Sequence, residues 1–290
     1  MDSIQNSLSH RNPEPEKNVL YLVGTPIGNL NDISKRAINI LSKVDYIACE
    51  DTRVTSKLLK SLEISNRLIS FHQHNSKKRS SQIIDSLKKG ESIALVSDAG
   101  TPVISDPGEF LVKLVRKNNL EAICIPGPCA ALTALVSSGL TSTRFTFYGF
   151  IPRTEKDRNQ IFLSINKNKF ASIFYESPKR IKKTLLGLKV ICGGKRQIFI
   201  GKELTKKYEL HIGNNIDEVI NFLEKIEPKG EYTVVVGGND NLQEVNDILI
   251  IKEELLDLIR AGLSHSAASI YLSKKYRKTK SSIYKLILDN

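Results

Sequence analysis

Long hydrophobic runs are missing from this chain of 290 residues. Those present, such as "VLYLV" (19–23), "IALV" (93–96) and "ILIIK" (248–252), fall far short of the ~20 residues a membrane-spanning helix needs. A secretory signal is missing too. The first 18 residues, "MDSIQNSLSHRNPEPEKN", are polar, carry two prolines and have no apolar core, and so predict a disordered leader over 1–18. Cysteine is scarce: Cys49, Cys124, Cys129 and Cys192 form no CxxC pair and no metal-site spacing. They are expected as reduced thiols, with no bound metal and no disulfide, in a reducing compartment. The fourth shortage is acid. Lys and Arg number 43 against 31 Asp and Glu, a formal charge of +12, which favours an anionic partner such as nucleic acid, an anionic membrane or an acidic substrate. What remains is the composition of an ordinary globular, cytoplasmic protein of enzyme size, long enough for two cores.

The pattern of what is present is α/β. "NVLYLVG" (18–24) is an apolar strand, followed by "DISKRAINILSKV" with Ile33, Ala37, Ile40, Leu41 and Val44 at helical spacing and Asp32 placed as its N-cap. Strand and helix then alternate: "DYIACE", "TRVTSKLLKSL", "RLISFH", "SSQIIDSLKKG", "SIALVS", "PGEFLVKLVRKN", "EAICIP" and "CAALTALVSSG". That rhythm predicts a largely parallel sheet in a first domain over 19–140. The texture changes in a second α/β domain over 141–240. Strand candidates there are "FTFYGF", "ASIFYES", "RQIFIGKE", "YELHIG" and "EYTVVVGG", with helices at "RIKKTLLGL" and "IDEVINFLEKI". The closely spaced third and fourth strands read as an antiparallel pair, giving a mixed sheet. A polar spacer, "GGNDNLQEVND", leads to a helical tail over 248–290, broken into three short helices at "AGLSH" and "RKTKS".

In an open α/β sheet, ligands bind beyond the carboxyl ends of the strands. Three first-domain loops are suited to this: "GTPIGNLND" (24–32), "SDAGTPVISDPG" (97–108) and "PGPCA" (126–130). Each is rich in Gly and Pro, so backbone can approach a ligand closely. None is a GxGxxG or a GK[ST] phosphate loop, which disfavours a phosphorylated cofactor. Carboxylates at the strand ends are Glu50, Asp51, Asp98 and Asp106. A reacting hydroxyl needs a proton acceptor, and among these Asp98 stands first and Glu50 second as candidate catalytic residues. The competing readings are structural: Asp98 bonding loop backbone, and Asp106, just before Pro107, capping a helix.

Seven motifs run in order from residue 24 to 236: "GTPIGNL", "EDTR", "SDAGTPVISDPG", "PGPCAALTAL", "FYESPKR", "KELTK" and "GEYTVVV". Together they resemble the tetrapyrrole methylase superfamily, and more narrowly its ribosomal RNA branch. The resemblance implies two α/β domains with a cofactor cleft between them, and S-adenosyl-L-methionine as the cofactor. It implies that Pro26, Ala99, Gly100, Thr101, Ile104, Cys129, Ala130, Tyr175, Glu176 and Leu204 surround that cofactor. It further implies a homodimer that methylates the 2'-oxygen of a cytidine in the decoding region of 16S rRNA in the small ribosomal subunit.

The basic residues fit that partner. Arg53 in "EDTR", and Lys179 and Arg180 at a helix start in "YESPKR", suit phosphate contacts or plain surface charge. From Ser264 to Leu288 the tail has six Lys or Arg and no acid, a helix-turn-helix-like pattern with Lys274, Lys275, Arg277 and Lys278 on offer to RNA. A packing appendage is the alternative. His72 and His74 in "FHQHN" would share one side of a strand, but no third metal ligand stands out. Two other functions remain open at this stage: carbon methylation of a tetrapyrrole, as in the small-molecule branch, and RNA binding without catalysis.

Overall fold

The structure is a computed structural model that describes residues 14–140, 143–239 and 241–286. Among these, the first half builds a five-stranded sheet from β1 (Val19–Val23), β2 (Tyr46–Cys49), β3 (Leu68–Ser70), β4 (Ile93–Val96) and β5 (Glu121–Ile125) in the order β3-β2-β4-β1-β5. Every pairing is parallel. Parallel strands need crossovers, and the helices α1 (Lys35–Lys43), α2 (Thr52–Ser61), α3 (Ser76–Lys88) and α4 (Glu109–Lys117) supply them. The central strands are buried on both faces, which is why "IALV" reads as a continuous apolar run. Alternate residues fill two cores: Tyr21, Ile47, Ala94 and Val96 on one face, Leu20, Ala48, Ile93 and Leu95 on the other.

The second half is a mixed sheet of β6 (Phe145–Phe150), β7 (Ala171–Glu176), β8 (Gln197–Lys202), β9 (Leu210–Asn215) and β10 (Tyr232–Val236), in the order β6-β7-β10-β8-β9. β6 runs parallel to β7, and the other pairings, including β8 with β9, are antiparallel. One face carries α6 (Glu155–Asn166), α7 (Ile181–Cys192) and α8 (Ile216–Glu224) over a core that includes Phe162, Phe174, Leu185, Ile200 and Val219. The opposite face is covered by α5 (Ala130–Ser137), which follows β5. Its Ala131, Ala134 and Leu135 pack with Ile173, Phe199 and Val235. That helix fastens one sheet to the other. The chain ends in α9 (Asn241–Arg260), α10 (His265–Tyr276) and α11 (Lys280–Lys285) around a small core of Ile251, Leu255, Ala268, Leu272 and Ile283. No helix is long and apolar enough to cross a membrane among the described residues.

Five local expectations are corrected. Asp32 does not cap α1: it lies in a 3₁₀ turn over Leu30–Asp32, and the Ser34 hydroxyl accepts the Ala37 N–H instead. "RLISFH" is strand only to Ser70, because Asn75 accepts the His72 N–H and donates to the Ser70 carbonyl, turning the chain. α6 had no forecast, although Thr154 caps it through the Asp157 N–H and Phe162 and Ile165 bury its inner side. The polar spacer is helical from Asn241, since extending a helix costs less than nucleating one. Of the expected leader, residues up to 13 lie outside the described residues. The rest is held down, with Glu14 on Arg36 at 2.6 and 2.9 Å and Asn18 on the Leu87 carbonyl at 2.7 Å.

Candidate active site

The loops after β1, β4 and β5 meet at the carboxyl edge of the parallel sheet, and they are cinched together by backbone. Thr25 and Gly100 exchange two hydrogen bonds, at 2.9 and 3.1 Å. The Thr101 hydroxyl donates to the Pro128 carbonyl at 3.1 Å. Gly24 and Gly127 approach so closely that a Cβ on Gly24 would stand 2.8 Å from the Gly127 Cα. No other residue type fits either position. The loop over 97–108 is also strained: Val103 has φ 77° and Ser105 φ 66°. A β-branched residue in that region costs on the order of 1–3 kcal/mol, and such strain collects at functional sites.

The second sheet closes the other side. The turn after β8 carries Glu203 at φ 52° and Thr205 at φ 64°, and the Thr205 hydroxyl accepts the Asn29 N–H at 3.0 Å across the gap. A register shift between Phe147 and Phe150 in β6 brings Phe150 to the mouth, 59% exposed and edge-on to Tyr175. Between the two sheets lies a cleft of about 360 Å³. Ile27, Ala99, Gly100, Thr101, Ile104, Cys129, Ala130 and Tyr175 give it an apolar lining, and Asp98, Asp106, Glu176 and Glu231 add four carboxylates. No Lys or Arg is among the lining residues.

The carboxylates differ in what holds them. Glu176 is bound inside the second sheet's edge: one oxygen accepts the Ser177 N–H at 2.8 Å, the other the Thr184 hydroxyl at 2.6 Å, with Arg180 at 3.3 Å. Asp98 accepts the Asp51 N–H at 3.0 Å, and burial drives its pKa up all the same. Asp106 does not cap α4, whose N-cap is Gly108 with no side-chain bond. Burial, with the Glu50 carboxylate close by, pushes Asp106 to about 6. Glu50 itself sits behind the lining, raised by burial and by Asp98. Asp51 goes the other way, to about 2, because Arg53 holds it with two side-chain nitrogens and its backbone N–H.

Eight of the ten residues expected around a cofactor line this cleft. Pro26 does not, and its neighbour Ile27 does; Leu204 is 5% exposed in the core beneath. Of the expected catalytic pair, Asp98 lines the cleft and Glu50 does not. Ser105, Phe150, Ser177, Pro178 and the stretch Gly230–Thr233 were missed. Only the pairing of β10 with β7, Thr233 opposite Tyr175, brings that stretch to the site.

Tyr175 packs edge-on to Phe147, and its hydroxyl accepts the Ala131 N–H at 3.2 Å at the start of α5. Among the basic residues, Arg53 and Lys179 are exposed, whereas Arg180 donates to the Ile151 and Pro152 carbonyls at 2.6 and 3.0 Å. Arg180 therefore has a structural task before any contact with a ligand. Lys275 is held by Glu254 at 2.8 Å, while Lys274, Arg277 and Lys278 are exposed. His72 and His74 lie edge-on at 5.9 Å off the end of β3, so strand alternation does not align them. Among the described residues no group of three His, Cys, Asp or Glu could hold a metal.

Two of the four carboxylates are already paired, Glu176 with Arg180 and Glu231 with Lys206 at 2.8 Å, whereas among the described residues no Lys or Arg pairs with Asp98 or Asp106, and these two suit a cation better than a phosphate. The glycine-rich, apolar walls of the cleft suit a flat, uncharged ring system.

Known proteins resemble this chain over most of its length. The model of the family Tetrapyrrole (Corrin/Porphyrin) Methylases matches residues 19–220. A protein of Bacillus subtilis named ribosomal RNA small subunit methyltransferase I is 45% identical over 89% of this chain and 89% of its own length. One of the same name from Synechocystis sp. is 40% identical over 93% of this chain and 98% of its own. Among solved structures, cobalt precorrin-4 methyltransferase, a cobalamin biosynthetic enzyme, superposes with a TM-score of 0.56 at 13% identity, over 76% of this chain and 95% of that one.

Proposed function

The chain belongs to the tetrapyrrole methylase family, and on that premise we propose that it transfers the methyl group of S-adenosyl-L-methionine to the 2'-oxygen of a cytidine in the decoding region of 16S rRNA. The observation that carries this reading is the extent of the likeness to the rRNA-named relatives. The part of the chain left out of the Synechocystis alignment is smaller than the helical module, so the shared sequence runs beyond the catalytic sheets into that module. The reading extends to a cytoplasmic homodimer acting on the small ribosomal subunit.

The residues then take roles. Ile27, Ala99, Gly100, Thr101, Ile104, Cys129, Ala130 and Tyr175 surround the cofactor, and Pro26 and Leu204 support them from behind. S-adenosyl-L-methionine, when bound, supplies an electrophilic methyl carbon on a positively charged sulfur. The acid lining stabilises that charge, and the closely packed loops fix the approach of the hydroxyl, where most of the acceleration arises. The 2'-hydroxyl must lose its proton as the new C–O bond forms. Asp106 is the acceptor this geometry favours: it lines the cleft, caps nothing, and is deprotonated above about pH 6. Asp98 lines the cleft beside it with one oxygen already engaged, and orients the ribose. Glu50 acts through both as a positioning residue. Arg53, Lys179, Lys274, Lys275, Arg277 and Lys278 meet RNA phosphates outside the cleft, and Arg180 contributes chiefly by holding Glu176.

Methylation of a tetrapyrrole carbon is the competing reading, and the fold alone allows it. A carboxylate-rich macrocycle would face Asp98 and Asp106, with which no Lys or Arg pairs among the described residues, and this argues against it. The deciding experiment offers labelled S-adenosyl-L-methionine to small subunits that lack ribose methylation and maps the product by mass spectrometry. Label on one cytidine 2'-oxygen is the expected result. Cofactor binding with no label on rRNA would sink the proposal.

A further inference from the structure

α10 and α11 flank a second, open recess at the surface, remote in sequence from the cleft, lined by the exposed residues Ser266, Lys280, Ser281, Tyr284 and Lys285. Three features distinguish it from a merely basic surface. The Lys280 ammonium is fixed at its rim by a 2.8 Å hydrogen bond to the Ser266 hydroxyl across the two helices. One wall is rigid, because the Tyr284 ring stacks on His265 with centroids 3.9 Å apart and planes 15° from parallel. Its charge is uncompensated: among the described residues no carboxylate pairs with Lys280 or Lys285, whereas Lys275 of α10 is paired with Glu254 of α9. The turn that makes the recess is sharp, with Arg277 at φ 51° ending α10 and the Thr279 hydroxyl capping α11.

Two ammonium groups, two serine hydroxyls and a phenol converging on one recess match a tetrahedral oxyanion carried on a chain, and the exposed edge of an aromatic pair beside it matches a nucleobase. We propose that this recess binds a backbone phosphate of an RNA strand, and that Lys280 and Lys285, more than Lys274, Lys275, Arg277 or Lys278, anchor the module to its substrate. The proposal rests on the rRNA reading and locates its anchor. It also explains how an acid-lined cleft can act on a polyanion: the strand is gripped at the module, and only one ribose enters the cleft.

The test uses the full chain. Lys280→Gln with Lys285→Gln is compared with Lys274→Gln with Arg277→Gln, which removes the same charge from the same module. Filter binding to purified 16S rRNA is followed from about 50 to about 200 mM salt, where each lost phosphate contact lowers the slope of log K against log salt by roughly 0.7–1. The recess pair is expected to weaken binding by about tenfold or more and to lower the slope by 1–2, and the comparison pair, whose side chains also face RNA, to weaken it by a factor at least about threefold smaller. Lys280→Arg with Lys285→Arg should restore binding, which separates lost recognition from lost folding. Equal losses in the two Gln pairs, or parental binding by the recess pair, would overturn the site while leaving the rRNA reading intact. Groove-dependent binding to poly-glutamate that exceeds binding to rRNA would reassign the recess to an acidic protein. Failure of the unmodified chain to bind rRNA would overturn both proposals.

Discussion

The cleft and the last two helices of the module are electrostatic opposites in one chain. Four carboxylates and no cation line the cleft, while residues 264–286 carry six Lys or Arg and no acid. They also differ in how they are held. The cleft is over-determined: three loops tied by backbone bonds, two glycines in contact, and non-glycine residues forced into left-handed geometry. The module rests on five buried aliphatic side chains and single hydrogen bonds at its helix caps. A field that favours a cation disfavours a phosphate, so under the proposed function the two tasks fall to different parts of the chain.

That comparison can be broken most directly at Asp106. Asp106→Asn should lower the methyl-transfer rate by on the order of 10²–10⁴ at neutral pH and leave the affinity for RNA within about twofold. In the parent enzyme the rate should climb with pH through about 6, and the variant should lose that limb. The stability effect has the opposite sign. Asp106 keeps its proton to a higher pH in the folded chain than in the unfolded one, so folding stability falls as pH rises from about 4 to about 6. The variant should therefore melt higher than the parent at about pH 8, and a melting scan at two pH values checks this. An unchanged pH–rate profile would remove Asp106 from the chemistry.

A smaller effect is expected at Arg180, which sequence alone groups with Lys179. Arg180→Ala strips a buried carboxylate of its cation and leaves two carbonyls without a donor, costing about 2–4 kcal/mol of stability in chemical denaturation. Lys179→Ala, exposed beside it, should leave stability unchanged and shift RNA affinity by no more than about threefold. Equal stability of the two variants would show that the internal bonds of Arg180 are energetically idle. The mildest probe is salt. Raising it from about 50 to about 200 mM should weaken RNA binding roughly 10- to 100-fold and move cofactor affinity by less than about threefold. Isothermal titration and filter binding on one preparation give both numbers, and parallel losses would mean that the two surfaces are not electrostatically independent.

Much of this was legible in the residues. The alternation of apolar runs with amphipathic stretches gave the parallel sheet and the order of its elements, because side-chain period is a local property of each segment. The Gly/Pro loops after β1, β4 and β5 were identified as the ligand edge, and the structure gathers them there. What escaped depended on partners distant in sequence. Gly230–Thr233 reaches the cleft only through strand pairing, and Phe150 only through a register shift in β6. Asp106 read as a helix cap because an acid before Pro-Gly often is one; α4 starts only at Glu109, behind the N-cap Gly108, and the Asp106 side chain bonds Ser97 instead. Arg180 and Lys179 were indistinguishable until the loop after β6 placed two carbonyls in reach of one of them.

By itself, then, the sequence determined the classes of element, the loops that face a ligand, the family resemblance and the basic character of the tail. All of these follow from composition and short-range pattern. Tertiary structure decided which carboxylates share the cleft, which cations are already committed inside the molecule, and where two lysines and an aromatic pair converge. Those outcomes depend on distances between residues far apart in the chain. Coulombic and hydrogen-bonding energies depend steeply on such distances, and no local pattern encodes them.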